Sequence, residues 1–205
     1  MGGKLHEDSL QQSGKHVIKH EWWAAHGVEV VRTRFDGKHD VPVSFGDYYR
    51  DGSNIVIDTK RDIDEVAKNI NGKNHARFRE ECKRAKNDGY KLIILVENRD
   101  GVRDVDDLYH WTNGHCVHCS IRRNAGCVPR DISTRCKRHG TRKPIQGPRL
   151  AKAMQTMSER YGVAFEFCSP HETARIICDK LGVMYEQDAD SSAQAARDGI
   201  SNTPD

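Results

Sequence analysis

Residues 92–96 read Leu-Ile-Ile-Leu-Val, apolar at every position between Lys91 and Glu97. Successive side chains of a strand point to opposite faces, so a run without polar alternation needs apolar cover on both sides. Strands of this kind lie in the middle of a sheet that carries helices on each face. The flanking segments agree. Helical spacing predicts helices over 15–26, 62–70, 75–88, 147–161 and 170–181, and in the first of these Val17, Ile18, Trp22 and Ala25 form the apolar face. Strands are expected at 4–8, 28–34, 41–49, 54–59, 91–97 and 163–167, with Asp51-Gly52 as a hairpin signal between the third and fourth. The fold class that follows is α/β: a mixed β-sheet flanked by helices, the hairpin giving antiparallel neighbours and the helical crossovers parallel ones. With 36% apolar and 31% charged residues, the chain has material for one modest core under a highly charged surface.

The hairpin carries the chemistry. Residues two apart on a strand share a face, so Asp58 and Lys60 project together while Ile57 and Thr59 face the other way. The turn at 50–53 can bring Asp47 beside Asp58. Two converging carboxylates form a hard oxygen site suited to Mg²⁺ or Mn²⁺, and a neighbouring ammonium can orient a water or stabilise charge developing on a phosphate. Asp-x-Lys alone is a weak motif, and by itself describes an ordinary ion pair at a strand end.

The surrounding residues add a family pattern. Gly46-Asp47, then Asp58-Thr59-Lys60 and Asp64, resembles the Gly-Asp … Glu-Arg-Lys-x-x-x-Asp signature of the XPF-type nuclease domain, of the PD-(D/E)xK superfamily of restriction-like nucleases. Asp stands for Glu at 58 and Thr for Arg at 59. The stretch 7–12 resembles the early Asp-x-Arg-Glu element, with Leu10 in place of Arg, which puts Asp8 near the metal. The pieces 11–16, 75–82 and 150–154 look like those of phage or prophage proteins that carry this domain, and the likeness spans roughly 4–98 and 145–182. It implies a restriction-endonuclease-like mixed sheet and a Mg²⁺- or Mn²⁺-dependent endonuclease. Asp47 and Asp58 would hold the metal, Lys60 would assist the water, and Asp8 and Asp64 would support the site. It also implies DNA as substrate, branched and flap structures included, and a homodimer. His75 and Arg79, four apart on the 75–88 helix, share a face that suits contact with a DNA phosphate as well as with water.

Seven cysteines are an odd number, and four of them, Cys116, Cys119, Cys127 and Cys136, fall close together. Close spacing without a secretory signal points to metal rather than disulfides. Cys116 and Cys119 form a Cys-x-x-Cys knuckle, and Cys136 and His139 a Cys-x-x-His one, so five candidates compete for the four places of a structural Zn²⁺ site. The four cysteines are preferred, because thiolate is the softer ligand. Cys82, Cys168 and Cys178 lie in apolar or amphipathic runs and read as core thiols. Around the cluster, residues 114–149 carry nine Lys/Arg and one acid, a net of +8; the whole chain is +3, which leaves −5 elsewhere. Arg122, Arg123, Lys137 and Arg138 are the expected phosphate contacts of this segment.

The organisation expected is a nuclease domain at 1–98 and 145–186, a basic zinc-binding insertion at 99–144, and a disordered tail at 187–205. No run approaches the ~18 apolar residues of a membrane span, and a cytoplasmic protein is expected. Two functions compete: a metal-dependent DNA endonuclease, and a non-catalytic nucleic-acid-binding protein built on a degenerate nuclease fold with its zinc module.

Overall fold

The computed structural model describes residues 3–12, 14, 16–38, 40–121, 127–131, 135–138, 140 and 143–186. Six strands form one sheet: β1 (Leu5–Asp8), β2 (Val30–Thr33), β3 (Tyr48–Arg50), β4 (Ile55–Lys60), β5 (Lys91–Glu97) and β6 (Ala164–Cys168). Their spatial order is β2-β1-β3-β4-β5-β6. β1 pairs antiparallel with β3, and β3 with β4; the pairs β1/β2, β4/β5 and β5/β6 are parallel. This is the mixed, helix-flanked sheet expected of a restriction-endonuclease-like domain.

The helices are α1 (Val17–Ala25), α2 (Ile63–Asn71), α3 (His75–Asn87), the single turn α4 (Gly114–Val117), α5 (Gly147–Tyr161) and α6 (Thr173–Leu181). The continuous apolar run places β5 in the interior of the sheet. Leu92, Ile94 and Val96 join a core with Phe78 of α3, Val66 of α2 and Met154 of α5. Ile93 and Leu95 turn to the opposite core, with Trp23 of α1 and Ile177 and Cys178 of α6. Removing the Ile94 side chain to Ala would therefore cost about 2–5 kcal/mol, the range for a buried aliphatic residue.

The structure corrects three expectations. The segment 41–49 is a strand only from Tyr48, although Val41, Val43 and Phe45 are buried as alternation suggested. Pro42 has no N–H for a ladder, and Gly46 turns the chain at φ +76°, so apolar alternation here fills a core without forming a strand. Helix α1 is rotated from its expected face: Val17 and Ile18 are exposed while Lys19 and Trp23 are buried. Two polar links set that rotation. Trp23 Nε1 donates to the Ala174 carbonyl at 3.1 Å, and Lys19 Nζ lies 2.9 Å from Glu97 Oε1. Finally, residues 99–111, expected to open the insertion, pack on the body, with Val102, Leu108 and Trp111 in the main core.

Cys82, Cys168 and Cys178 are buried, as core thiols should be. Burial pushes Cys82 and Cys178 up to about 12 and Cys168 up to about 11, which keeps them unreactive.

Candidate active site

Gly46 creates the geometry at the mouth of the site. A Cβ at this position would stand 2.4 Å from Val56 Cγ1 and 3.1 Å from the Ile57 carbonyl, and the residue has positive φ. Only glycine lets the chain pass this close to β4 and turn. The next residue is thereby pinned: Asp47 N donates to Ile57 O, and Asp47 O accepts from Asp8 N, both at 2.8 Å. Its carboxylate leans across the end of β4. Oδ2 accepts from the Thr59 amide at 2.8 Å and from the Thr59 hydroxyl at 2.7 Å, and Oδ1 accepts from Gln11 Nε2. Gln11 in turn is 2.8 Å from His16 Nε2.

Asp58 and Lys60 share the face of β4 that looks toward α3, as strand alternation required. Lys60 Nζ donates to Asp58 Oδ1 at 2.6 Å and stands 2.5 Å from Oδ2. The second contact lies off the hydrogen-bonding direction, so Oδ2 is buried without a hydrogen-bond partner. The ammonium also sits 5.7 Å from the centre of the Phe78 ring. Both side chains are nearly closed to solvent, at 4% exposure for Asp58 and 9% for Lys60.

A residue that sequence reasoning did not single out completes the cluster. Glu81 of α3 accepts from the Gly46 amide at 3.1 Å and acts electrostatically on both Asp58 and Lys60. A signal was present: Phe78, Cys82 and Ala85 form the buried stripe of α3, and Glu81, three residues beyond Phe78, falls beside it. A carboxylate beside the apolar stripe of a helix has a partner there more often than not, because leaving it unpaired is costly.

Three carboxylates thus surround one ammonium. Burial pushes the Asp58 carboxyl well above the ordinary carboxylate range; Lys60 opposes this, and Glu81 and Asp47 add to it. For Lys60 burial disfavours the charge, but Asp58 and Asp47 outweigh it and hold the ammonium protonated. The excess of negative charge, and an Asp58 oxygen held only by its ion pair with Lys60, fit a small divalent cation with oxygen ligands. Asp58, Asp47 and Glu81 are the residues able to hold it. Among the described residues no three His, Cys, Asp or Glu side chains already stand in metal-binding geometry, so an ion would draw its ligands inward.

The remaining sequence candidates are placed as follows. Asp8 approaches through its backbone, while its carboxylate accepts from the amides of Leu10 and Phe35, each at 3.3 Å. Asp64 has its shown contact elsewhere: its Oδ1 accepts from Gly114 N at 3.2 Å, linking α2 to the insertion. His75 is exposed at the start of α3, and Arg79 Nη2 lies 3.4 Å from Glu80. Lys137 and Arg138 are exposed; Arg122, Arg123, His139 and the tail 187–205 lie outside the described residues. Glu97, at the end of β5, is held by the buried Lys19.

Helix α2 begins directly after the site with a reciprocal cap. Asp62 accepts from the Glu65 amide at 2.7 Å, and Glu65 accepts from the Arg61 amide at 3.1 Å. The cap stops the strand at Lys60 and fixes where its side chain points.

No family model matches the chain, and no curated protein is similar to it in sequence. Among solved structures, XPF from Aeropyrum pernix is similar, with 17% identity and a TM-score of 0.49, over 96% of this chain and 68% of that one. Among the described residues no helix is long and apolar enough to cross a membrane.

Proposed function

We propose that the chain is a divalent-metal-dependent DNA nuclease. The observation that carries this reading is the grouping of Asp47, Asp58 and Glu81 around Lys60, at a site whose entrance is shaped by Gly46. Bound Mg²⁺ or Mn²⁺ would polarise the scissile phosphate and lower the pKa of a water. The protein's own groups do the rest. Asp58, short of hydrogen-bond partners and raised by burial, is a strong oxygen ligand once ionised. Asp47 is oriented by Thr59 and Gln11 at the end of β4, where the remaining lone pairs of its carboxylate can turn toward an ion or a water. Lys60 keeps its proton beside these carboxylates and places a fixed positive charge where a phosphate oxygen becomes more negative. Phe78 beneath the ammonium excludes water and strengthens that interaction.

The test is cleavage of labelled duplex, flap and four-way DNA in Mg²⁺, Mn²⁺ or EDTA, comparing wild type with Asp58→Asn and Lys60→Ala. Metal-dependent cutting that both substitutions abolish supports the proposal, and the three substrates show whether branched DNA is preferred. Salt-sensitive binding without cutting on any of them would sink it in favour of a nucleic-acid-binding scaffold.

A further inference from the structure

Between Trp111 and Gly147 the chain leaves the body and returns, and apolar packing gives this excursion little support. Val117 and Val128 are exposed, at 46% and 58%. A segment that cannot bury apolar groups needs another source of folding energy, and four soft ligands supply one. Cys116, Cys119, Cys127 and Cys136 come from three separate stretches, yet all line a single cavity of about 20 Å³. That is room for roughly one water-sized body. Pro129 and Pro144 close its walls. Gln146 Nε2 reaches Cys116 Sγ at 3.4 Å, the kind of N–H···S contact that supports a ligating thiolate.

We propose that Cys116, Cys119, Cys127 and Cys136 bind one zinc ion, and that this ion orders the basic insertion for contact with DNA. The positional evidence is independent of the thiols. Asp64 holds the Gly114 amide, and a Cβ on Gly114 would stand 2.4 Å from Asp64 Oδ2, so the two elements touch at their closest approach. Lys137 and Arg138 lie around the cysteine cavity, so ordering the thiolates also orders cations that suit a phosphate backbone, while Lys143 Nζ donates to the Val128 and Asp131 carbonyls and ties the insertion to itself. The four thiols are a soft ligand set, whereas the carboxylates around Lys60 are a hard one, so the two places select different metals. As for the carboxylates, among the described residues no three of the thiols already stand in metal-binding geometry.

The DNA-contact assignment rests on the nuclease reading; the zinc assignment does not. Metal content is measured on protein grown with zinc and purified without chelator, for wild type, Asp58→Asn, His139→Ala, Cys127→Ser and Cys136→Ser, with circular dichroism to confirm that the body remains folded. About one zinc per chain is expected in the first three, as for one closed structural site, and loss of most of it in the two cysteine variants. No zinc in the wild type overturns the site. Loss in His139→Ala with retention in Cys127→Ser overturns the four-cysteine set. In a second arm, duplex binding by Asp58→Asn without Mg²⁺ is titrated with salt, with zinc present and after its removal by thiol modification. Binding about ten-fold weaker, with a shallower salt slope, is expected on removal. Unchanged binding overturns the DNA-clamp role while leaving the nuclease reading intact.

Discussion

The body and the insertion hold themselves together by different means. In the body, a strand apolar on both faces is enclosed between two clusters of buried side chains, and among the described residues the buried polar atoms without a hydrogen bond are few, Asp58 Oδ2 being one. In the insertion, valines point to water and the chain is kept in place by a handful of polar links: Asp64 to Gly114, Gln146 to Asn113 and Cys116, and Gly147 to the Trp111 carbonyl. The first region draws its cohesion from buried apolar side chains. The second is short of apolar burial, and its thiols are the feature that can offset the conformational entropy of ordering it. A mutational effect should therefore be read by region, as chemistry or core stability in the body and as order in the insertion.

The sharpest contrast comes from Asp58. Asp58→Asn keeps the shape of the side chain but removes the charge, and a loss of about 10³-fold in cleavage rate is expected, the size typical for removing one preorganised electrostatic group. Zinc content should not move. If both fall together, the regions are not independent.

Next is Gly46→Ala. It forces an L-residue to positive φ and drives a methyl into Val56, and a destabilisation of about 3 kcal/mol is expected in chemical denaturation. A change below about 0.5 kcal/mol would show that the body tolerates displacement at the mouth.

The buried Lys19–Glu97 pair lies between α1 and β5. Glu97→Ala leaves an ammonium in the interior and should cost about 3 kcal/mol or slightly more, whereas replacing both partners by apolar residues should recover most of it. Denaturation of the single and double variants checks this.

A pH series tests the hard site alone. Burial raises the Asp58 carboxyl, so its proton competes with a cation to a higher pH than at an exposed aspartate. Mn²⁺ affinity should therefore rise with pH and be lost as pH falls, with the loss beginning above the usual carboxylate range. Calorimetry at several pH values reads this directly, and affinity that stays flat until the ordinary aspartate range would exclude Asp58 as a ligand.

The smallest effect is expected at Asp64, which the sequence pattern placed among the catalytic residues. Its contact is with the Gly114 amide, so Asp64→Ala should cost about 1 kcal/mol and weaken the apparent affinity for DNA a few-fold while leaving the turnover rate nearly unchanged. Steady-state cleavage kinetics separate the two, and a turnover rate lowered by about a hundred-fold or more would return Asp64 to the chemistry.

These contrasts also explain what could be read from sequence. β5 was legible because burial on both faces leaves an unmistakable pattern, and the shared face of Asp58 and Lys60 because strand alternation is rigid. Residues 41–47 misled because alternation records burial, and Pro42 and Gly46 allow burial without a ladder. The α1 face misled for the opposite reason: a lysine is buried there, matched by a glutamate 78 positions away that no local pattern reveals. Glu81 stayed unnoticed because the positive residues of α3 drew the eye, while its significance depends on the Gly46 amide, which folding alone brings near.

The crossing between Trp111 and Gly147 has an architectural consequence. The Gly147 amide reaches the Trp111 carbonyl at 3.2 Å, and Gln146 accepts from the Asn113 amide at 3.3 Å, so the chain exits and re-enters the body at one point. Such a point acts as a splice site. Loops of other lengths can be exchanged there at a closure cost that grows only slowly with length. The body then becomes a chassis, on which a different substrate-facing module can be mounted without redesigning the sheet beneath it.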